Sequence, residues 1–252
     1  MLNTLPVFDS HFHIIDCKYP LIPNQGYLPA PFTVQDYQQQ TSHYNICGGA
    51  IVSGSFQGFD QGYLIDALAQ LGSEFVGVTQ LPAEVKDEDI LKLNRAGIKA
   101  LRFNLKRGGS ENIAHLSQMA HRVNEIAGWH IELYIDSKDL FDLFPQIMTL
   151  PAVSIDHLGL KKAGFNTLLK LVEKGIKVKA TGFGRVDFNI KTALKSLYSA
   201  NPTALMFGTD LPSTRASRPY RNEDFLTIID TLGENAAHAV FYENAKTFYR
   251  IP

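Results

Sequence analysis

Short apolar runs recur along the chain at residues 5–8, 49–52, 75–81, 100–105, 131–135, 153–155, 178–181 and 204–208. Each is too short for a helix and is rich in Val, Ile, Leu and Phe, the composition of strands buried on both faces. Between them, residues 33–43, 61–71, 87–96, 111–127, 138–148, 166–174, 190–200 and 223–232 repeat their apolar positions with a helical period. Gly72, Gly97, Gly128, Gly175 and Gly233 fall where these helices should end, and a left-handed residue there satisfies the last carbonyls. Eight strands alternating with eight helices predict an α/β fold with a parallel sheet. A length of 252 residues suits one (β/α)8 TIM barrel domain, residues 1–252, better than two small domains. An open doubly wound sheet is the other arrangement. Polar residues at the carboxyl ends of most strands favour closure, because that end of a barrel collects its chemistry. The connection 17–31, rich in Pro and Tyr and without a helical period, is expected to lie over that end as a lid or as packed cover.

Composition narrows the partners. The formal net charge is -1 and only 19% of residues are charged, so no basic field exists to attract nucleic acid or an anionic membrane. Any anion must be held by a few placed side chains. Two cysteines, Cys17 and Cys47, are too few for a disulfide framework and fit a reducing compartment. Residues 1–6 are too short for a signal peptide, and no apolar run of about 18 residues spans a bilayer, so a cytoplasmic location is expected.

Candidate chemistry sits at the predicted strand ends. In Asp9-Ser-His11-Phe-His13, strand geometry puts the two histidines on one side as they leave the first strand. They serve either as a site or as surface decoration. Asp210 ends the eighth strand in Gly208-Thr-Asp210, as a site carboxylate or a helix N-cap. His157 ends the sixth strand, aimed at the same mouth or buried as a structural group. Arg102 lies inside the fourth strand, where a charge is costly unless paired, so it either binds an anion at the mouth or forms an internal salt bridge. Arg185 follows the seventh strand between glycines that let backbone approach a ligand. Arg107, Arg215, Arg218 and Arg221 are weaker candidates. Several arginines at one mouth suggest a small-molecule substrate with more than one carboxylate, which guanidinium grips in a fork. Tyr134 and Asp136 end the fifth strand, whose one imidazole, His130, lies at the opposite end.

His11-Phe-His13, Arg102-Phe-Asn, His157-Leu-Gly, Gly208-Thr-Asp210-Leu-Pro and the closing Glu243-Asn-Ala-Lys-Thr-Phe-Tyr249 together resemble the amidohydrolase superfamily, in its amidohydrolase-2 branch. Within the branch the likeness is to the 2-pyrone-4,6-dicarboxylate lactonases, and it runs from Asp9 to Tyr249. The resemblance implies a distorted (β/α)8 barrel that hydrolyses a carboxylated lactone without a metal ion. In that scheme Asp210 takes a proton from the attacking water, and His11, His13 and His157 polarise the lactone carbonyl. Tyr134, Arg102 and Arg185, with Arg107 and Arg215 in the loops, hold the substrate's carboxylates. Leu211 stands where the family often has an aromatic residue.

The chemistry is coherent by itself: ester hydrolysis needs a base for water and donors for the oxyanion. Asp210, among imidazoles and arginines, is expected to be ionised at neutral pH. The competing enzyme holds one zinc ion on His11, His13 and Asp210, with His157 as acid or base, and hydrolyses an amide or lactone or decarboxylates an aromatic acid. A barrel that binds carboxylated metabolites without turning them over is the alternative from another class.

Overall fold

A computed structural model describes residues 4–251, so the first residues of the 1–6 segment lie outside the described part. Eight strands, β1 (Pro6–Phe12), β2 (Asn45–Val52), β3 (Phe75–Thr79), β4 (Ile98–Asn104), β5 (His130–Tyr134), β6 (Val153–Ile155), β7 (Lys177–Ala180) and β8 (Leu205–Phe207), pair in sequence order, all parallel. Helices α1 (Val34–Thr41), α2 (Gly62–Leu71), α3 (Asp87–Arg95), α4 (Leu116–Ala127), α5 (Leu140–Ile147), α6 (Phe165–Glu173), α7 (Ile190–Ala200) and α8 (Asn222–Leu232) follow the strands in turn. This is the (β/α)8 barrel that the alternation of apolar runs predicts. The main differences lie at element ends: β1 runs on through His11 to Phe12, and the predicted helix 111–127 opens with a 3-10 turn at Ile113–His115. No helix among the described residues is long and apolar enough to cross a membrane.

The helix boundaries have local causes. Thr33 caps α1 in a reciprocal box, accepting from the Asp36 amide while the Asp36 carboxylate accepts from the Thr33 amide. Asp87, Glu88 and Asp89 open α3, and Lys92 and Arg95 close it, matching the helix dipole. All five of the glycines read as helix ends have positive φ.

Strand positions alternate between two environments. One set, including Val7, Ile51, Leu101, Leu133 and Val178, packs outward against the helices in the main core. The other set points into the barrel, where Phe8, Ala50, Val52, Val76, Val78, Ala100 and Met206 form an apolar floor. Tyr249, on the closing helix Asn244–Tyr249, enters this floor, its ring stacked on Phe8 with centroids 5.2 Å apart. On β5 to β7 the inward positions are instead charged: Glu132 and Lys179 are fully buried, as is Asp156 just past β6.

The seam between β1 and β8 is closed beyond the end of β8. There the Asp210 amide donates to the His11 carbonyl (2.7 Å) and the His13 amide to the Leu211 carbonyl (2.8 Å). Asp9 reinforces it, accepting from the Thr209 amide (2.8 Å) and hydroxyl (2.7 Å) and from the Tyr37 hydroxyl (3.2 Å). Burial raises the Asp9 carboxyl to about 6, against the pull of these donors. The folded protein therefore binds this proton more tightly than the unfolded chain, and the associated stability is lost as pH rises through the folded value. Asp9 is expected to contribute a fall of about 2 kcal/mol between about pH 4.5 and pH 7. Urea denaturation of Asp9→Asn, which keeps the shape without the charge, should lack that component of the slope; an unchanged slope would assign it elsewhere.

Candidate active site

The register of β1 on β2 slips between Asp9 and Phe12, where three steps of β1 face two of β2. A bulge of this kind re-aims side chains. Here it turns His11 inward and lets His13 follow it to the same mouth, with ring centroids 5.1 Å apart and planes nearly perpendicular. Gly208 makes room for this arrangement, because a Cβ at that position would come within 2.8 Å of the His11 backbone nitrogen and Cβ. His157 and Asp210 complete the cluster from β6 and β8, and both sit at positive φ, +50° and +61°. Such backbone is costly for a non-glycine residue and is typical of functional sites.

The two β1 histidines have different hydrogen-bond partners. Nδ1 of His13 lies 2.7 Å from the Val52 carbonyl, which can only accept, so Nδ1 carries the hydrogen. Burial, with Arg102 and Arg185 adding to it, lowers His13 to about 3. The ring is therefore neutral and presents the Nε2 lone pair, 3.9 Å from Asp210 Oδ1. This corrects the expectation that His13 polarises a carbonyl, since a lone pair accepts and does not donate. Nδ1 of His11 instead lies 3.5 Å from the Lys179 ammonium, a donor, and 3.4 Å from Asp156 Oδ1, an acceptor. Burial and Lys179 hold His11 well below the ordinary histidine range, and burial with His11 and Arg185 does the same to His157. His11 Nε2, His157 Nδ1 and Asp210 Oδ1 are buried polar atoms without a protein partner.

Asp210 was expected to be held low by its neighbours. Burial outweighs them: the Arg185 guanidinium, with Nε 2.7 Å from Oδ2, pulls the carboxyl down, yet it stays raised above its ordinary value. Arg185 also donates to the Thr214 carbonyl (2.8 Å), so in this structure it anchors Asp210 and the loop after β8. Arg102 is a correction as well. Its Nε and Nη2 grip Asp156 Oδ2 at 3.1 and 2.7 Å and Nη1 donates to the Ser53 carbonyl (2.8 Å), which is the internal salt bridge and not a free anion clamp. Asp156 would be raised by burial, but Arg102 and Lys179 hold it below the usual range.

Above these groups opens a cleft lined by His13, His157, Tyr134, Asn104, Ser55, Phe56, Thr214 and four arginines, Arg102, Arg107, Arg185 and Arg215. Among the described residues no carboxylate lines it. Arg215 lies over the Tyr27 ring (4.4 Å) and donates to Asn24 Oδ1 (3.0 Å) and its carbonyl, while Asn24 and Gln25 donate to the Arg107 carbonyl. The connection 17–31 thus packs against two of the cleft's arginines, while none of its own residues lines the cleft. The Arg107 guanidinium has no hydrogen-bond or ion-pair partner among the described residues. Arg218 does not reach the cleft lining and pairs with Asp224 (2.8 Å).

Sequence reasoning missed the ionic layer beneath the cleft. Lys179 lies 2.5 Å from Glu132 Oε2, and Glu132 Oε1 accepts from Tyr249 (2.5 Å) and lies 3.2 Å from His130 Nε2. Burial alone would raise Glu132, but Lys179 and His130 bring it down to about 2. The available signal was the alternation itself: in His130-Ile-Glu132-Leu-Tyr134 and Lys177-Val-Lys179-Ala the polar positions share one face.

For a metal ion, two sets of three side chains have donor atoms within 4.8 Å of one another among the described residues, His11, His157 and Asp210 beside the cleft and His11, Glu132 and Asp156 beneath it, and His13 is in neither. The first set replaces the expected His11, His13 and Asp210. With its hydrogen on Nε2, His11 would offer that set no lone pair; with its hydrogen on Nδ1 it would.

The sequence profile of a family described as Amidohydrolase matches residues 8–251. Among curated proteins, a 2-pyrone-4,6-dicarboxylate hydrolase of Comamonas testosteroni is 25% identical over 60% of this chain, an alignment that spans only about half (51%) of that relative. A D-galactarolactone isomerase of Agrobacterium fabrum is 25% identical over 96% of this chain and 90% of its own length. Among solved structures, a candidate 2-pyrone-4,6-dicarboxylic acid hydrolase from Pseudomonas putida superposes with a TM-score of 0.82 at 25% identity, covering 98% of each chain.

Proposed function

Because this chain belongs to the amidohydrolase family, we propose that it hydrolyses a small carboxylated lactone of the 2-pyrone-4,6-dicarboxylate kind, using water activated at Asp210 and no metal ion. The observation that carries this is the cleft wall: Arg107 and Arg215 at the rim and no carboxylate in the lining, over a buried Asp with a spare oxygen. Arginine recognises carboxylate in planar, bidentate fashion. Two of the similar proteins are named for lactones, one hydrolysed and one isomerised.

Arg107 and Arg215 at the rim receive the substrate's carboxylates and set the ring's orientation. Nε2 of His13 and Oδ1 of Asp210, two acceptors 3.9 Å apart, suit the two O–H groups of one water molecule. Asp210 takes a proton as the water oxygen bonds to the carbonyl carbon. The oxyanion that forms is met by the Nε2–H of His11, a donor fixed before the reaction begins. Collapse of the tetrahedral intermediate breaks the ring C–O bond, and the proton held on Asp210 goes to the departing oxygen.

The test is hydrolysis of a panel of carboxylated lactones, including 2-pyrone-4,6-dicarboxylate, with and without chelator, beside elemental analysis of protein purified without added metal. Turnover that is chelator-resistant in metal-free protein is expected. Stoichiometric zinc with chelator-sensitive turnover would overturn the metal-free mechanism, and tight binding without turnover would make the barrel a binding protein.

A further inference from the structure

We propose that Lys179 is a positioning residue whose ammonium, by hydrogen-bonding Nδ1 of His11, fixes that imidazole as the Nε2–H tautomer and aims its ring proton at the carbonyl oxygen. The inference rests on the lactone hydrolysis described above.

Lys179 has no contact with the cleft. It lies inside the barrel, fully buried, where His11, Glu132 and Asp156 converge with donor atoms within 4.8 Å of one another. Three donors grouped like this are a cation's environment, and the ammonium occupies it: Nζ is 2.5 Å from Glu132 Oε2, 3.8 Å from Asp156 Oδ1 and 3.5 Å from His11 Nδ1. A buried lysine is rare unless paired, and this one is placed between two carboxylates. An ammonium has three hydrogens to give and no lone pair, so a ring nitrogen that meets it must be the unprotonated one.

The competing tautomer has a partner within reach. Asp156 Oδ1 lies 3.4 Å from the same Nδ1 yet accepts no hydrogen bond, the carboxylate being anchored through Oδ2 by Arg102. Without the ammonium, an Nδ1–H to Asp156 becomes the charge-assisted bond, and Nε2 turns from donor to acceptor. The lone pair would then face the developing oxyanion. Glu132 keeps the ammonium in place, and is itself held from below by the Tyr249 hydroxyl and His130.

The experiment is NMR of substrate-free protein carrying 15N-labelled histidine, in which ring nitrogen shifts and couplings identify the protonated nitrogen of His11; its signals are assigned by their loss in His11→Gln. Wild type should be protonated at Nε2. The double variant Lys179→Met/Glu132→Gln, which removes both buried charges together, should be protonated at Nδ1. Its kcat on 2-pyrone-4,6-dicarboxylate should fall at least about 100-fold, with KM within about threefold. Loss of packing alone has no reason to exchange the tautomer. A wild-type ring protonated at Nδ1 overturns the proposal even if the double variant does not fold. So does a double variant that keeps the Nε2 hydrogen, or one that exchanges tautomers without losing kcat. If wild type leaves the lactone untouched, the proposed reaction falls, while the tautomer comparison still decides the link between Lys179 and His11.

Discussion

Asp210→Asn is expected to lower kcat on a carboxylated lactone by about 10³- to 10⁴-fold while KM stays within about threefold. The substitution keeps the shape, and an amide oxygen at the Oδ2 position can still accept from Arg185 Nε, so the loop after β8 keeps its anchor. What disappears is the capacity to accept a full proton from water. His13 cannot take over efficiently, because a ring held to about 3 is too weak a base at neutral pH. Steady-state kinetics and calorimetric binding of a non-hydrolysable dicarboxylate decide the matter. Near-normal turnover with intact binding would remove Asp210 from the role of base.

Arg102→Ala should act on folding first. Arg102 is 2% exposed and its carboxylate partner fully buried, so truncating the arginine leaves Asp156 deep in the barrel with Lys179, at 3.8 Å, as its remaining cation. Breaking a buried pair from one side costs about 3–5 kcal/mol. Urea denaturation should show that loss, whereas Arg107→Ala, whose guanidinium has no ion-pair partner, should change stability by no more than about 0.5 kcal/mol and raise KM. Equal stability losses in the two variants would contradict the division between a structural and a substrate-facing arginine.

Much of the barrel was legible because its signals are local. Each strand is a short apolar run and each helix has its own cap, so β6 and α7 fall where their patterns place them. The placement of His11, His13, His157 and Asp210 at strand ends was legible for the same reason. What the sequence withheld depends on partners far along the chain. Arg102 read equally as an anion clamp or an ion pair because its carboxylate lies 54 residues on, two strands away. His11 and His13 look alike in sequence, yet Nδ1 of His13 meets a carbonyl on β2 and Nδ1 of His11 an ammonium on β7. Lys179 and Glu132 were passed over because each alone is an ordinary charged residue in a short strand.

The seam between the first and last strands has one more implication. The bonds that join Asp210 to His11 and Leu211 to His13 are the same bonds that complete the ring of strands, and they tie together segments some 200 residues apart. A chain with seven strands ordered and this junction open would bury most of its apolar surface and still lack the cluster of His11, His13 and Asp210. Assembly of the candidate site is thus tied to contacts of very long sequence separation, for which closure entropy is high. Activity, more than secondary structure, reports that the circle has closed.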